Sequence, residues 1–243
     1  MRLIEFLRIN NVMKYFIYNE NSILITFDSN INSELVYKIS SLKIKIEHDF
    51  NEYLIDAVQS INSLLIVYKR NKISTNDFLN KIKNVNPKNI TQKVKSKIWE
   101  IPVCYDFTYA TDLEEFSKSK KISENEVIQL HKSKIYDVIS MGFLPGFMYL
   151  GTTDYKLHCE RKLKPSLKIK KGSIGIALNQ TCIYPQDSPG GWHIIGASPL
   201  EFFNLKSKTP CFVNPGDKIK FLEISKSSFE TLKKNKSFKP NFS

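Results

Sequence analysis

GSIGIALNQTCIYPQDSPGGWHIIG, residues 172–196, breaks into the short apolar runs SIGIAL, CIYP and WHIIG, divided by Asn179, Pro185, Asp187 and the Ser188-Pro189-Gly190-Gly191 tetrad. Apolar runs this short, bounded by turn formers, read as strands joined by tight connections. Working outward, the same texture recurs in KIYDVISMGF (134–143), LPGFMYLG (144–151), PLEFFNL (199–205) and DKIKFLEI (217–224). Many short strands at this spacing predict a closed or nearly closed antiparallel barrel.

The barrel segment begins at WEIPVCY, residues 99–105. Thr111 with Glu114, and Ser123 with Glu126, have the capping-box spacing, which predicts helices over 112–119 and 124–133. Upstream, KYFIYNENSILITF (14–27) reads as a hairpin, and Leu35, Val36, Ile39, Leu42 and Ile46 recur at helical spacing. Two strands, EYLIDAVQS and SLLIVYK, and a capped helix, STNDFLNKIKNV, complete an α+β sandwich of ferredoxin-like type. The boundary falls in the lysine- and asparagine-rich stretch 86–97, giving an α+β domain over 1–92 and a barrel domain over 93–243. After Ser225 a tail with five lysines and one glutamate is either frayed or a peripheral helix.

The formal charge of +12 comes almost wholly from lysine, with arginine only at positions 2, 8, 70 and 161. Dispersed lysine lacks the planar fork that reads bases, so the basic surface is a solvated one and no nucleic-acid partner is expected. Cys104, Cys159, Cys182 and Cys211 have no C-x-x-C pairing, which excludes a zinc ribbon or small disulfide scaffold. The amino-terminal run has no unbroken apolar core and no stretch approaches the roughly 18 apolar residues of a membrane span. A cytoplasmic protein with reduced thiols and no membrane contact is expected.

In this order, IPVCY, EVIQLH, GFLPGFMYLG, GSIGIALNQTCIYPQDSPGGWHIIG and NPGDKIKF resemble the carboxyltransferase-like family of the KipI and PxpB proteins, which is similar to the B-type component of 5-oxoprolinase and to the first component of allophanate hydrolase. The resemblance implies a small α+β domain followed by a cyclophilin-like antiparallel β-barrel. It also implies one subunit of an ATP-dependent 5-oxoprolinase, which opens 5-oxo-L-proline to L-glutamate. The partners would be a larger carboxyltransferase-like subunit and a LamB/YcsF-type subunit, and this chain alone would be inactive. Two other activities occur among relatives: inhibition of a sensor histidine kinase, and urea or allophanate hydrolysis. GSIGIAL lacks the Gly-Lys-Ser/Thr ending of a phosphate loop, so ATP need not be bound by this chain.

Several residues then become candidates. His131 ends the EVIQLH helix, where the dipole favours its charged form; it serves as an acid or anion contact, or satisfies its own helix's carbonyls. Arg161 stands where the family shows the first of two Pro-Arg pairs. The second is Pro165-Ser166, so bidentate capacity is halved, and Lys162 or Lys164 replaces only the charge. Gln180 and Thr181 offer an amide and a hydroxyl. With His131 and Arg161, Gln180 is assigned to catalysis. Phe143, Pro145, Phe147 and Tyr149 either wall a binding site or plug the barrel end. Tyr184, Pro185, Ser188, Gly190, Gly191 and Trp192, with Thr181, complete the proposed binding set, and the Ser188–Gly191 backbone is expected to present N–H donors as an anion nest. Cys182 and His193 tempt as a nucleophile and base, but strand alternation turns His193 away from Trp192 and Ile194, and the family has glycine in place of Cys182. His158 and Cys159 also alternate, so no metal site is expected.

Overall fold

The computed structural model describes residues 13–28, 32–85, 96–235 and 238–243, and they fall into two compact units, within 1–94 and 95–243. The linker expected over 86–97 lies largely outside the described residues.

Unit 1 opens with the hairpin β1 (Met13–Asn19) and β2 (Ser22–Phe27), followed by α1 (Ser33–Asp49), β3 (Leu54–Gln59), β4 (Ser63–Tyr68) and α2 (Thr75–Lys83). Asn32 caps α1 by accepting from Leu35 N at 2.8 Å, and the spacing of Leu35, Ile39, Leu42 and Ile46 places them on its buried face. They meet the alternate residues Ile23, Ile25, Leu64 and Ile66 of β2 and β4 in one core. The antiparallel sheet runs β1-β2-β4-β3. The expected ferredoxin-like type is not confirmed: that fold takes its edge strand from after the second helix, whereas here β1 holds the edge beside β2. Hairpin closure is local and places β1 there before any longer-range pairing is needed. His48 is exposed, with Nδ1 3.0 Å from the neighbouring Asp49 carboxylate.

Unit 2 contains β5 (Ile98–Val103), α3 (Leu113–Lys120), α4 (Glu124–Lys132), β6 (Ile135–Met141), β7 (Met148–Thr152), β8 (Ser166–Ile169), β9 (Ser173–Ala177), β10 (Gln180–Ile183), β11 (Ser188–Gly190), β12 (His193–Ala197), β13 (Lys218–Glu223) and α5 (Lys226–Lys234). Seven strands form one curled sheet in the order β12-β9-β10-β7-β6-β13-β5, and β11 pairs with β8 in a separate ribbon. Its two edges touch once: Cys104 N donates to Ala197 O at 2.8 Å and Ala197 N to Cys104 O at 3.0 Å. The concave side is filled by residues such as Val138, Leu150, Ile174, Ile176, Ile183 and Phe221.

Three expectations change. The sheet is not wholly antiparallel, because β13 lies antiparallel to β6 but parallel to β5. PLEFFNL is not a strand: the bridge to Cys104 uses Ala197's backbone, Pro199 has no N–H to continue a ladder, and only Phe202 turns fully inward. Thr111 does not cap α3; the N-cap residue is Asp112, which makes no side-chain cap bond, whereas Ser123 accepts from Glu126 N at 3.1 Å as its box predicts.

The return of the chain to β13 is fastened by Asp217. Its buried carboxylate accepts from Trp99 Nε1 at 3.0 Å, Asn214 N at 3.0 Å and Lys97 N at 3.1 Å, tying β13 to the start of β5. Asp217→Ala strands a buried indole N–H and is expected to cost about 2 kcal/mol. Urea denaturation followed by tryptophan fluorescence measures this, since Trp99 and Trp192 both lie in unit 2; an unchanged midpoint contradicts it.

Candidate functional site

Side chains alternate along β10, and this alternation separates the candidates into two groups. Thr181 and Ile183 point into the concave core, while Cys182 points to the opposite, outer face. Cys182 lies across from Tyr149 on β7 and from Gly175 on β9. A side chain at Gly175 would approach Trp192 Cβ at 2.9 Å and Cys182 Sγ at 3.1 Å, so this glycine lets the outer layer settle on the sheet.

That outer layer is aromatic. Around the fully buried Phe147 ring stand Tyr149 at 4.8 Å, Tyr184 at 4.9 Å edge-on, Phe143 at 5.5 Å edge-on and Trp192 at 6.2 Å between centroids. Arg161 holds its guanidinium 5.8 Å from the Trp192 ring centroid, a cation–π distance. Tyr149 is only half-buried, and burial, opposed by Arg161, raises its phenol above the ordinary value. Gly190 is required beneath this layer: a Cβ there would collide with the Tyr184 hydroxyl and stand 2.9 Å from Ile169 Cδ1. Pro185 is buried against the Pro145-Gly146 turn, 3.3 Å from where a Gly146 Cβ would stand, while Pro145 is exposed.

A polar network that sequence reasoning missed holds the Arg161 segment. Asp112 accepts from Lys162 Nζ at 2.7 Å on one carboxylate oxygen and from Ile194 N at 2.7 Å on the other. Lys162 Nζ also reaches Ser166 Oγ at 3.2 Å, and Lys162 N donates to Gly191 O at 2.8 Å. The position where the second family arginine is missing is thus occupied by a serine bonded to Lys162. The Lys162–Asp112 pair is mostly shielded, with side chains 21% and 12% exposed, so Lys162 fastens the segment instead of facing a ligand. No local pattern points to Asp112, because its partners are 50 and 82 residues away.

The assigned catalytic trio is not brought together as expected. Arg161 borders the aromatic layer through Trp192, and Gln180 sits half-buried at the start of β10, opposite Thr152 and opposite Ala177, which belongs to that layer's cluster. His131 instead lies wholly inside the concave core, with Nδ1 2.9 Å from Tyr105 Oη and Nε2 3.0 Å from Thr181 Oγ1. Burial lowers its pKa to about 3, which overrides the helix dipole and corrects the expectation of a charged imidazole. Thr181 is corrected with it, since it donates to Gly175 O at 3.0 Å inside the core, on the face opposite the aromatic layer. The Ser188–Gly191 segment is not an open nest: Ser188 and Gly190 are paired with Ile169 and Ser166 in the β11–β8 ribbon.

Cys182 and His193 point to opposite faces. His193 stands 5.5 Å from the Phe116 ring with Nε2 3.1 Å from Glu160 O, whereas Cys182 is fully buried and its thiol is pushed far above the ordinary value by that burial. His158 reaches Thr153 O at 3.4 Å and Cys159 Ile176 O at 3.9 Å. Among the described residues no group of three or more His, Cys, Asp or Glu is arranged to hold a metal ion, and no helix is long and apolar enough to cross a membrane.

Residues 13–213 match the family model described as carboxyltransferase domain, subdomain C and D. The chain is 31% identical over 225 residues to the B-type component of the 5-oxoprolinase of Bacillus subtilis, covering 88% of this chain and 94% of that protein. A urea amidolyase of Lachancea kluyveri matches at 24% identity over 86% of this chain but only 13% of its own length. Among solved structures, that of TTHA0988 superposes with a TM-score of 0.75 at 29% identity, covering 84% of this chain and 40% of that one.

Proposed function

Given that this chain belongs to the carboxyltransferase-domain family of subdomains C and D, we propose that it is a subunit of a 5-oxoprolinase-like system that opens 5-oxo-L-proline to L-glutamate with ATP. The observation that carries the reading is the match to nearly the full length of a B-type 5-oxoprolinase component. In this reading Arg161 holds the substrate carboxylate, the aromatic layer shields the lactam ring from water, and the Gln180 amide orients the lactam carbonyl. The larger carboxyltransferase-like subunit and the LamB/YcsF-type subunit complete the site. ATP supplies the driving force for ring opening. Since the sequence has no phosphate loop ending in Gly-Lys-Ser/Thr, no step through the nucleotide is assigned to this chain. The same reading takes unit 2 as a cyclophilin-like barrel and places the protein in the cytoplasm, where ATP is available. The single bridge between the two sheet edges supports the barrel.

The test is co-expression with both partners and measurement of ATP-dependent glutamate formation. The three-part assembly is expected to be active and this chain alone inactive; full activity from the isolated chain overturns the division of labour. Within the assembly, Arg161→Ala is expected to raise KM about 10-fold or more, and Arg161→Lys to recover only part of that, because an ammonium lacks the planar fork. Gln180→Ala is expected to reduce activity more than Cys182→Ser, and the reverse order contradicts the assigned roles. The urea amidolyase match favours a second reading, hydrolysis of a urea-derived amide, which urea- or allophanate-dependent activity in the same assembly would establish instead.

A further inference from the structure

The loop joining β6 to β7, residues Gly142–Phe147, is made of two fused turns. In the second, Phe147 N–H donates to Leu144 O at 2.9 Å across Pro145 and Gly146, and Gly146 supplies the positive φ of +83° that such a turn needs. In the first, Leu144 N–H donates to Gly142 O at 2.8 Å across Phe143, whose φ is +68°. A three-residue turn with positive φ at its centre is rare and strained, and glycine relieves it. Here the glycine stands one residue too early. A Cβ at Gly142 would meet nothing within 4 Å, while the left-handed position is given to a phenylalanine.

Burial does not offset this strain. Phe143 is 64% exposed and touches the aromatic layer edge-on, at 5.5 Å from Phe147. A strained residue whose exposed ring has no ring contact beyond Phe147 among the described residues marks a place for a contact from outside the chain. The ring packs against Phe147, which in turn touches Tyr149 and Trp192 of the layer that Arg161 borders.

We propose that Phe143 is a specificity-determining residue whose ring packs against the non-polar face of a small ring bearing a carboxylate, favouring a five-membered lactam over an open-chain amide. The proposal rests on the functional reading above. A saturated ring offers a compact C–H face to an aromatic wall; an open-chain amide must first be immobilised to present one.

The test compares wild type with the Phe143→Gly, Phe143→Ala and Phe143→Tyr variants, by thermal melting of the full chain and by calorimetric titration of its assembly with both partners, using 5-oxoproline and glutamine. Phe143→Gly removes ring and strain together, so its Tm is expected to rise by about 2–4 °C. Its affinity for 5-oxoproline is expected to fall about 5- to 10-fold, with its preference over glutamine lost. Phe143→Ala keeps the strain, loses the same affinity and gains no stability, and Phe143→Tyr binds like wild type. A Phe143→Gly chain that melts below wild type, or binds 5-oxoproline as tightly, overturns the role of Phe143. A wild-type assembly that responds to neither compound overturns the functional reading and with it the ligand named here, while the order of melting temperatures of the chain still judges the strain by itself.

Discussion

Replacing His131 by alanine is expected to destabilise unit 2 by about 3–5 kcal/mol, near the size of a buried aromatic truncation. The imidazole lies 4.6 Å from the Phe221 ring at an interplanar angle of 20°, so its removal opens a cavity between α4 and β13. It also strands the Tyr105 hydroxyl proton and takes away the donor that Thr181 Oγ1 accepts from. Thr181 uses its proton on Gly175 O, so it accepts from His131 Nε2–H; Nδ1 is then the bare nitrogen and accepts from Tyr105 Oη. The neutral Nε2–H tautomer follows from that pattern. His131→Gln, which keeps one donor and one acceptor, is expected to lose less.

The pH dependence has a definite sign. The folded imidazole titrates near 3 because it is fully buried, against about 6.5 in an unfolded chain. As pH falls below about 6.5, the unfolded state takes up a proton that the folded state refuses, so stability is lost with acidification, by roughly 1 kcal/mol per pH unit. Urea midpoints between pH 7 and pH 5 measure this slope, and His131→Gln should flatten it. An identical slope in both chains contradicts the neutral, buried imidazole.

The second large effect is expected at Gly172, which precedes β9. Its φ is +83°, and a Cβ there would collide with the carbonyl oxygen of Ser198. The obstacle is backbone, and it is held: Gly172 N donates to Tyr184 O at 2.7 Å and Ser198 N to Gly172 O at 2.8 Å. Left-handed strain alone costs about 1–2 kcal/mol, and displacing these bonded segments brings the expected loss for Gly172→Ala to about 4 kcal/mol. Gly142→Ala, with open space around it, is the control and should stay within about 1 kcal/mol of wild type. Equal melting temperatures for the two variants contradict the account.

Several features are legible in the sequence because their causes lie within a few residues. The helix face of Leu35, Ile39, Leu42 and Ile46, the Ser123 cap, and the opposite facing of His193 and Ile194 follow from periodicity and capping chemistry. Phe147, Tyr149, Tyr184 and Trp192 stand out as aromatics flanking turns, and the structure gathers them into one layer beside Arg161. His131 misleads for an equally physical reason. Its position at a helix end is local information, but its burial is set by β6, β10 and β13, and desolvation outweighs the dipole.

By itself the sequence determined most of the helices and strands and where most of them turn, since each depends on neighbours along the chain, but not the loss of a strand at 199–205 or the helix after Ser225. Only the tertiary structure decided that β13 enters between β5 and β6, that Asp112 and Lys162 fasten the Arg161 segment, that Ser166 takes a lysine's bond in place of the missing arginine, and that Thr181 and His131 belong to the core. Most of these are pairings between groups tens of residues apart, and what selects them is burial, which no short window of sequence contains.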